Sequence, residues 1–248
     1  MTSEDALVSV ETSAVPAVVD RARWQAEIDA LRLREKAHTR EGDAIAAARR
    51  RLPMVETDAG LPLIRNGETV TLLDAFEGRR QLVAYYFMWH RGHPAAGQCE
   101  GCTWVTSHVG ELSYLHSRDI TFAVFCQGPF EESNRYREFM SWDLPWYSTD
   151  PSRDDLLTGR QAGMMHIVCY LRRSDRVFET YWTTRRGVEA IDYSYALMDL
   201  TVYGRQEATE DSPIGWPSLP SGALNLTRDG RPIPQWSRVR AGRDDDLG

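Results

Sequence analysis

The sequence predicts an α/β fold in which a central mixed β-sheet is flanked by helices. Three observations lead there. "LVAYYFMW" (82–89) and "ITFAVFCQ" (120–127) are continuous apolar runs of strand length, as expected of strands covered on both faces. Residues 102–115 and 130–142, which follow these runs, carry apolar side chains at helical spacing. Hairpin patterns lie at either end, around Asn66-Gly67 and Ser174-Asp175.

Taken in order, residues 1 to about 19 read as a mobile arm. From about Ala22 to Arg51, Trp24, Ile28 and Leu31 recur at helical spacing among many charges. A long, partly exposed helix is expected there, with a break near Gly42 and an end imposed by Pro53. The Asn66-Gly67 hairpin and the first buried strand follow. Cys102, Val105, Val109, Leu112 and Leu115 then define one helix, and the second strand leads to a helix opening at Pro129. "MHIVCYLRR" and "VFETYWTT" form the second hairpin, and "GVEAIDYSYALMDL" a last helix. From about Gly204 the chain becomes rich in proline, glycine and tryptophan and reads as a non-core extension. The order is hairpin, β, α, β, α, hairpin, α, and a thioredoxin-like fold fits it best. The expected boundaries are an arm and helix over 1–51, a thioredoxin-like domain over 52–203 and an extension over 204–248.

Composition narrows the function classes. At 248 residues, 42% hydrophobic and 26% charged, the chain suits one packed domain with terminal additions. A net charge of −7 without a basic stripe argues against nucleic acid. Lys36 is the sole lysine, a bias that carries no functional weight. No segment has the apolar length to span a bilayer, and "MTSEDALVSVETSAVPAVVD" is acidic where a secretory signal is basic. A cytoplasmic, reducing location is therefore expected, in which four cysteines do not make a disulfide framework.

Chemistry concentrates in "MWHRGHPAAGQCEGCTW" (88–104), which holds His90, His93, Cys99 and Cys102. With Cys99 at a helix start, unsatisfied backbone N–H groups and the helix dipole favour its thiolate. Cys102, about one turn on, is placed to resolve a mixed disulfide. Glu100 opposes the thiolate, and a protonated His93 would offset it. Peroxide reduction is disfavoured, since neither cysteine has Thr or Ser three residues before it.

These stretches look familiar. "RRRLPMVE", "LLDAFEGRRQLVAYYFMW", "CEGCTW", "DITFAVFCQGPFE", "LPWYSTD" and "VFETYWTTRRGVEAIDYSYALMDLTVYGRQE" run from about Arg49 to Glu207. In this order they resemble the bacterial family catalogued as domain of unknown function 899, whose members are sometimes labelled dithiol–disulfide oxidoreductases. The resemblance implies a thioredoxin-like fold but says little about the reaction. Two features depart from it. His90 and His93 stand where the family has an acidic or aromatic loop, and Glu100-Gly101 stand where it has Pro-Gly.

Redox proteins of that fold also resemble one another in a proline facing the dithiol. The corresponding place here, "GRQAGMMH", has none and brings Met164, Met165 and His166. That opens a metal alternative in which Cys99, Cys102 and His166, with His93 and His90, bind copper(I) or zinc. His90 and His93 serve equally well as solvated loop residues, His166 as a satisfied histidine at a strand start, and the methionines as filler. Cys126 and Cys169 read as core, and His108 and His116 as facing solvent or neighbouring helices. Trp142, Trp146 and Tyr147 read as packing. Tyr181, Arg185 and Arg186 either bind an anionic substrate or anchor the hairpin.

The leading expectation is a thiol-dependent oxidoreductase with Cys99 and Cys102 as catalytic residues, acting on a small thiol or a protein disulfide. It needs no cofactor. A copper or zinc protein, including a copper-dependent oxidase, is the alternative. A non-catalytic interaction protein using the arm and tail is a third. Neither nucleic acid nor membrane is an expected partner, and the arm and tail suit a homodimer.

Overall fold

The strand at 81–87 has no free edge and no free face. In the computed structural model, which describes residues 15–219 and 226–248, this strand takes parallel pairing on one side and antiparallel pairing on the other. Its apolar run is continuous for that reason. Leu82, Ala84 and Tyr86 enter one core, while Tyr85 and Phe87 enter another across the sheet.

Along the chain the elements are α1 (Arg21–Arg49), β1 (Val55–Thr57), β2 (Pro62–Arg65), β3 (Glu68–Thr71), β4 (Gln81–Phe87), α2 (Glu100–Ser107), α3 (Ser113–His116) and β5 (Ile120–Cys126). There follow α4 (Phe130–Met140), β6 (Trp146–Ser148), α5 (Arg153–Leu156), β7 (His166–Arg173), β8 (Arg176–Thr184), α6 (Ser194–Met198), β9 (Thr227–Arg228), β10 (Arg231–Pro232) and α7 (Gln235–Arg240). Eight strands make one mixed sheet in the order β1-β8-β7-β4-β5-β6-β2-β3, and β9 and β10 pair separately. β4, β5 and β6 run parallel, and the β7–β8 hairpin lies antiparallel beside β4. Both expected hairpins form: Asn66 and Gly67 take positive φ between β2 and β3, and Ser174 does so between β7 and β8.

The two faces are covered differently. Residues of α2 and α4 cover the face of Tyr85 and Phe87, with Trp142 and Trp146 stacked at 5.8 Å beneath them. Leu63, Leu72, Phe76 and Leu156 cover the other face with Tyr147. The reading of these three aromatics as packing agrees with this placement. Cys126 is buried as expected, whereas Cys169 is only half-buried.

Several elements differ from the sequence expectation. α1 runs unbroken through Gly42, because one glycine costs only about 1 kcal/mol in a helix. Asp20 caps it by accepting from Arg23 N at 2.8 Å, and it stops at Arg49, before Pro53. The single helix expected over 102–115 is two, α2 and α3, separated by a stretch containing Gly110. "GVEAIDYSYALMDL" is a 3-10 segment (Arg185–Ile191) followed by the five-residue α6.

Residues 15–52 with 195–219 form one compact unit, and 53–194 with 226–248 form another. Residues 226–248, expected to be non-core, return to the second unit and bury Leu226, Gln235 and Leu247. Most of the expected N-terminal arm, residues 1–14, and residues 220–225 of the extension lie outside the described residues. Among the described residues no helix is long and apolar enough to cross a membrane.

Gly128, at the end of β5, lets the Trp89 ring lie directly on the backbone, and a Cβ there would overlap the indole. Gly128→Ala should therefore destabilise the fold by about 1–3 kcal/mol, the usual cost of overpacking. Urea denaturation should register this as a lower midpoint with an unchanged slope.

Candidate functional site

Between Phe87 and α2 the chain must leave the sheet and reach the first turn of a helix. The intervening loop folds back around one buried amide. Gln98 Nε2 donates to His90 O at 2.9 Å and to His93 O at 3.0 Å, and its Oε1 accepts from His90 N at 3.1 Å. Trp89 Nε1 and Gly92 N both donate to Glu132 Oε2 on α4, and Arg91 ion-pairs with Asp150. The cysteines therefore begin a helix whose approach is held on both sides.

Cys99 is the N-cap of α2, at φ −54° and ψ 114°. Its sulfur accepts from the Cys102 N–H at 3.4 Å, as a capping side chain does. The sulfur also lies 3.8 Å from the thioether of Met88. Cys102 is fully buried, and its sulfur accepts from Met88 N at 3.3 Å. The buried hydroxyl of Tyr85 lies against the Cys102 sulfur and makes no ordinary hydrogen bond among the described residues.

This geometry drives the two thiols apart. A hydrogen bond from the Cys102 thiol, with the N–H groups of Cys102 and Gly101, holds Cys99 below the ordinary thiol value against burial and Glu100. Burial pushes Cys102 well up, as do its bond to Cys99 and the charge there, while Tyr85 and the Met88 N–H oppose the rise. Cys99 is thus the more acidic of the two thiols, and Cys102 the one that holds its proton to higher pH.

The bacterial protein of unknown function family (DUF899) matches residues 13–222, most of the chain. The chain belongs to that family. No curated protein matches it.

In this DUF899 chain the remaining candidates do not all converge on the cysteines. His90 and His93 are exposed, their rings 5.6 Å apart on the loop that Gln98 holds. His166 stands on the other face of the sheet. It pairs opposite Tyr86 in β4, and its ring packs against Tyr86 and Trp182. Strand alternation separates it from Cys99 and Cys102, which lie with Tyr85 and Phe87. His166 Nε2 donates to Gln161 O at 2.9 Å, and burial lowers its pKa. Among the described residues no three His, Cys, Asp or Glu side chains are grouped to hold a metal ion. Of the residues expected to bind copper or zinc, His166 and the two cysteines thus lie on opposite faces of the sheet, and His90 and His93 lie on the exposed loop.

Met165 comes to the cysteines instead, its methyl 3.7 Å from where a Cβ on Gly101 would lie. Gln127 fixes the preceding loop, donating to Met164 O at 2.9 Å and accepting from Gly163 N at 2.7 Å. Tyr181 pairs opposite Cys169 and shares the cysteine face. Arg185 lies beyond the end of β8, exposed, at φ +52°. His108 caps the far end of α2, its Nδ1 2.9 Å from Asp192 Oδ1, so this histidine is a half-buried anchor.

Sequence reasoning passed over Gln98, Met88, Tyr85, Thr103, Tyr136 and Gln235. Gln98, next to the first cysteine, was the most accessible of these, as a polar residue inside an otherwise small and apolar stretch.

Labelling with iodoacetamide followed by mass mapping should find Cys99 modified first, at a rate rising through a pH midpoint below the ordinary thiol range. Cys102 should react only after denaturation. Because the Glu100 carboxylate raises the Cys99 pKa, Glu100→Gln should lower that midpoint and speed labelling at pH 7 by roughly two- to fivefold. Slower labelling in that variant, or Cys102 reacting first, would contradict the assignment.

Proposed function

We propose that this chain is a thiol–disulfide oxidoreductase built on a thioredoxin-like core. Two parallel strands, β4 and β5, are joined through α2, and an antiparallel hairpin, β7–β8, lies on the other edge of β4. That arrangement, with a cysteine pair opening the helix after the first parallel strand, supports the thioredoxin-like assignment. The observation carrying the functional reading is the asymmetry of the pair: Cys99, capping the helix with its sulfur on an N–H and its pKa lowered, beside a buried Cys102 whose pKa is raised.

In the reductive direction, Cys99 thiolate attacks one sulfur of a substrate disulfide. The substrate S–S bond breaks, and the departing thiolate takes a proton from water. Cys102 then gives up its proton and attacks the Cys99 sulfur. The second substrate thiol leaves, and a Cys99–Cys102 disulfide remains. The substrate gains two electrons and the protein loses two, which an external dithiol restores. With Cys99 only 7% exposed, the substrate must be slim: a small-molecule disulfide or an extended peptide segment.

Equilibrating the full chain in glutathione buffers of graded potential, then trapping and mapping the thiols, tests this reading. One two-electron transition should appear at Cys99 and Cys102. Cys126, whose thiol burial pushes up to about 12, should stay reduced. Cys99→Ser should abolish turnover of a small disulfide, and Cys102→Ser should trap a mixed disulfide on Cys99. A pair that stays reduced throughout, or full turnover in Cys99→Ser, would sink the proposal.

A further inference from the structure

We propose that Gln235, on α7, is a positioning residue for Cys99 that acts through a one-way chain of hydrogen bonds. The proposal rests on the reading of Cys99 as the reactive thiol. Gln235 lies more than 130 residues after Cys99 and beyond residue 222, where the family match ends.

The direction of each bond follows from its partners. Arg231 Nη1 can only donate, and it meets Gln235 Oε1 at 3.0 Å. The Ala95 carbonyl can only accept, and it meets Gln235 Nε2 at 2.7 Å. The amide orientation is therefore set, and its second N–H donates to Tyr136 Oη at 2.7 Å. The Thr103 hydroxyl reaches the Cys99 carbonyl at 2.8 Å and must donate there. Tyr136 Oη lies 2.6 Å from Thr103 Oγ1, whose own proton is committed to that carbonyl, so the phenol donates to the threonine. The chain runs Gln235 N–H to Tyr136 O–H to Thr103 O–H to Cys99 C=O.

Its end is the reactive residue. The Cys99 carbonyl also accepts Thr103 N–H at 3.0 Å, so Thr103 holds it with two bonds. These bonds fix the peptide plane between Cys99 and Glu100, and with it the N-cap conformation that brings Sγ to the Cys102 N–H. The same amide holds Ala95, which opens the 3-10 turn before the cysteines. One side chain thus secures the segment from 95 to 103 near both ends. Ala95, Thr103, Tyr136 and Gln235 are all fully buried. Water therefore has no access to replace a lost donor, and successive bonds in such a chain strengthen one another. Arg231, which orients the amide, is held in turn by Asp245 at 2.6 Å.

The test measures the pH midpoint of Cys99 alkylation, alongside the melting temperature, in the full chain. Gln235→Leu removes both donors at similar volume. Tyr136→Phe breaks the chain but leaves the Gln235 bond to Ala95 in place, which keeps the test available should the leucine variant fold poorly. Both should raise the midpoint and slow alkylation at pH 7 by about fivefold, the effect of one buried hydrogen bond. Combining them should move the midpoint no further than the larger single shift, since they interrupt one path. A lower melting temperature with an unchanged midpoint would make Gln235 a packing residue only and overturn the proposal, as would additive midpoint shifts. A wild-type pair that never cycles in glutathione would defeat the oxidoreductase reading instead, while the alkylation midpoints still decide the role of Gln235.

Discussion

β4 pairs with β5 on one edge and β7 on the other, so every side chain from Leu82 to Phe87 is committed to one of two cores. Such a strand cannot slip by one residue without exchanging the two cores. It therefore delivers the chain to a fixed point at Phe87, from which the loop to α2 is measured. The register also determines which groups reach the cysteines. Tyr85 and the Met88 N–H lie against Cys102, while Tyr86, one residue from Tyr85, turns to the opposite core and bonds Tyr170 at 2.8 Å. His166 follows Tyr86 for the same reason.

Within that frame, depth separates the acidities of two chemically identical thiols. Cys99 sits at the helix end, where N–H groups that lack helical partners face its sulfur. Cys102, three residues inside, has passed beneath the surface and has Tyr85 and the Met88 amide as neighbours. Neither burial nor the helix end alone would separate the pair. Burial raises both thiols, and only Cys99 has enough donors to reverse that. Glu100 works against this arrangement but lies in the first turn, where an acidic side chain favours the helix itself.

The parts legible in the sequence are those governed by local pattern. The runs at 82–89 and 120–127, the Asn66-Gly67 and Ser174-Asp175 turns and the helical spacing after Pro129 all depend on near neighbours, and all formed. The cysteine pair was legible because its two residues share one turn. The side of the sheet to which His166 points was not, although it depends on a simple alternation, because the β4–β7 register is a long-range property. The approach of His108, just past α2, to Asp192 was hidden for a similar reason, since Asp192 lies more than eighty residues on. Proline and glycine from about Gly204 onward suggested a non-core extension. Composition does not record that one glutamine within it finds three partners in the interior.

Buried amides are demanding, since each donor or acceptor left unpaired costs more than a satisfied one contributes. Gln98 and Gln235 meet that demand fully, each using its oxygen and both N–H groups. They approach the same loop from opposite ends, Gln98 gathering the backbone at 90 and 93 and Gln235 gripping Ala95 and, through Tyr136 and Thr103, Cys99. A loop with glycines at 92 and 97 has little stiffness of its own. Apolar contacts alone would hold it loosely, because they specify area rather than direction. The two amides supply the direction: they fix where the carbonyls point, and the carbonyl of Cys99 in turn fixes where its sulfur points.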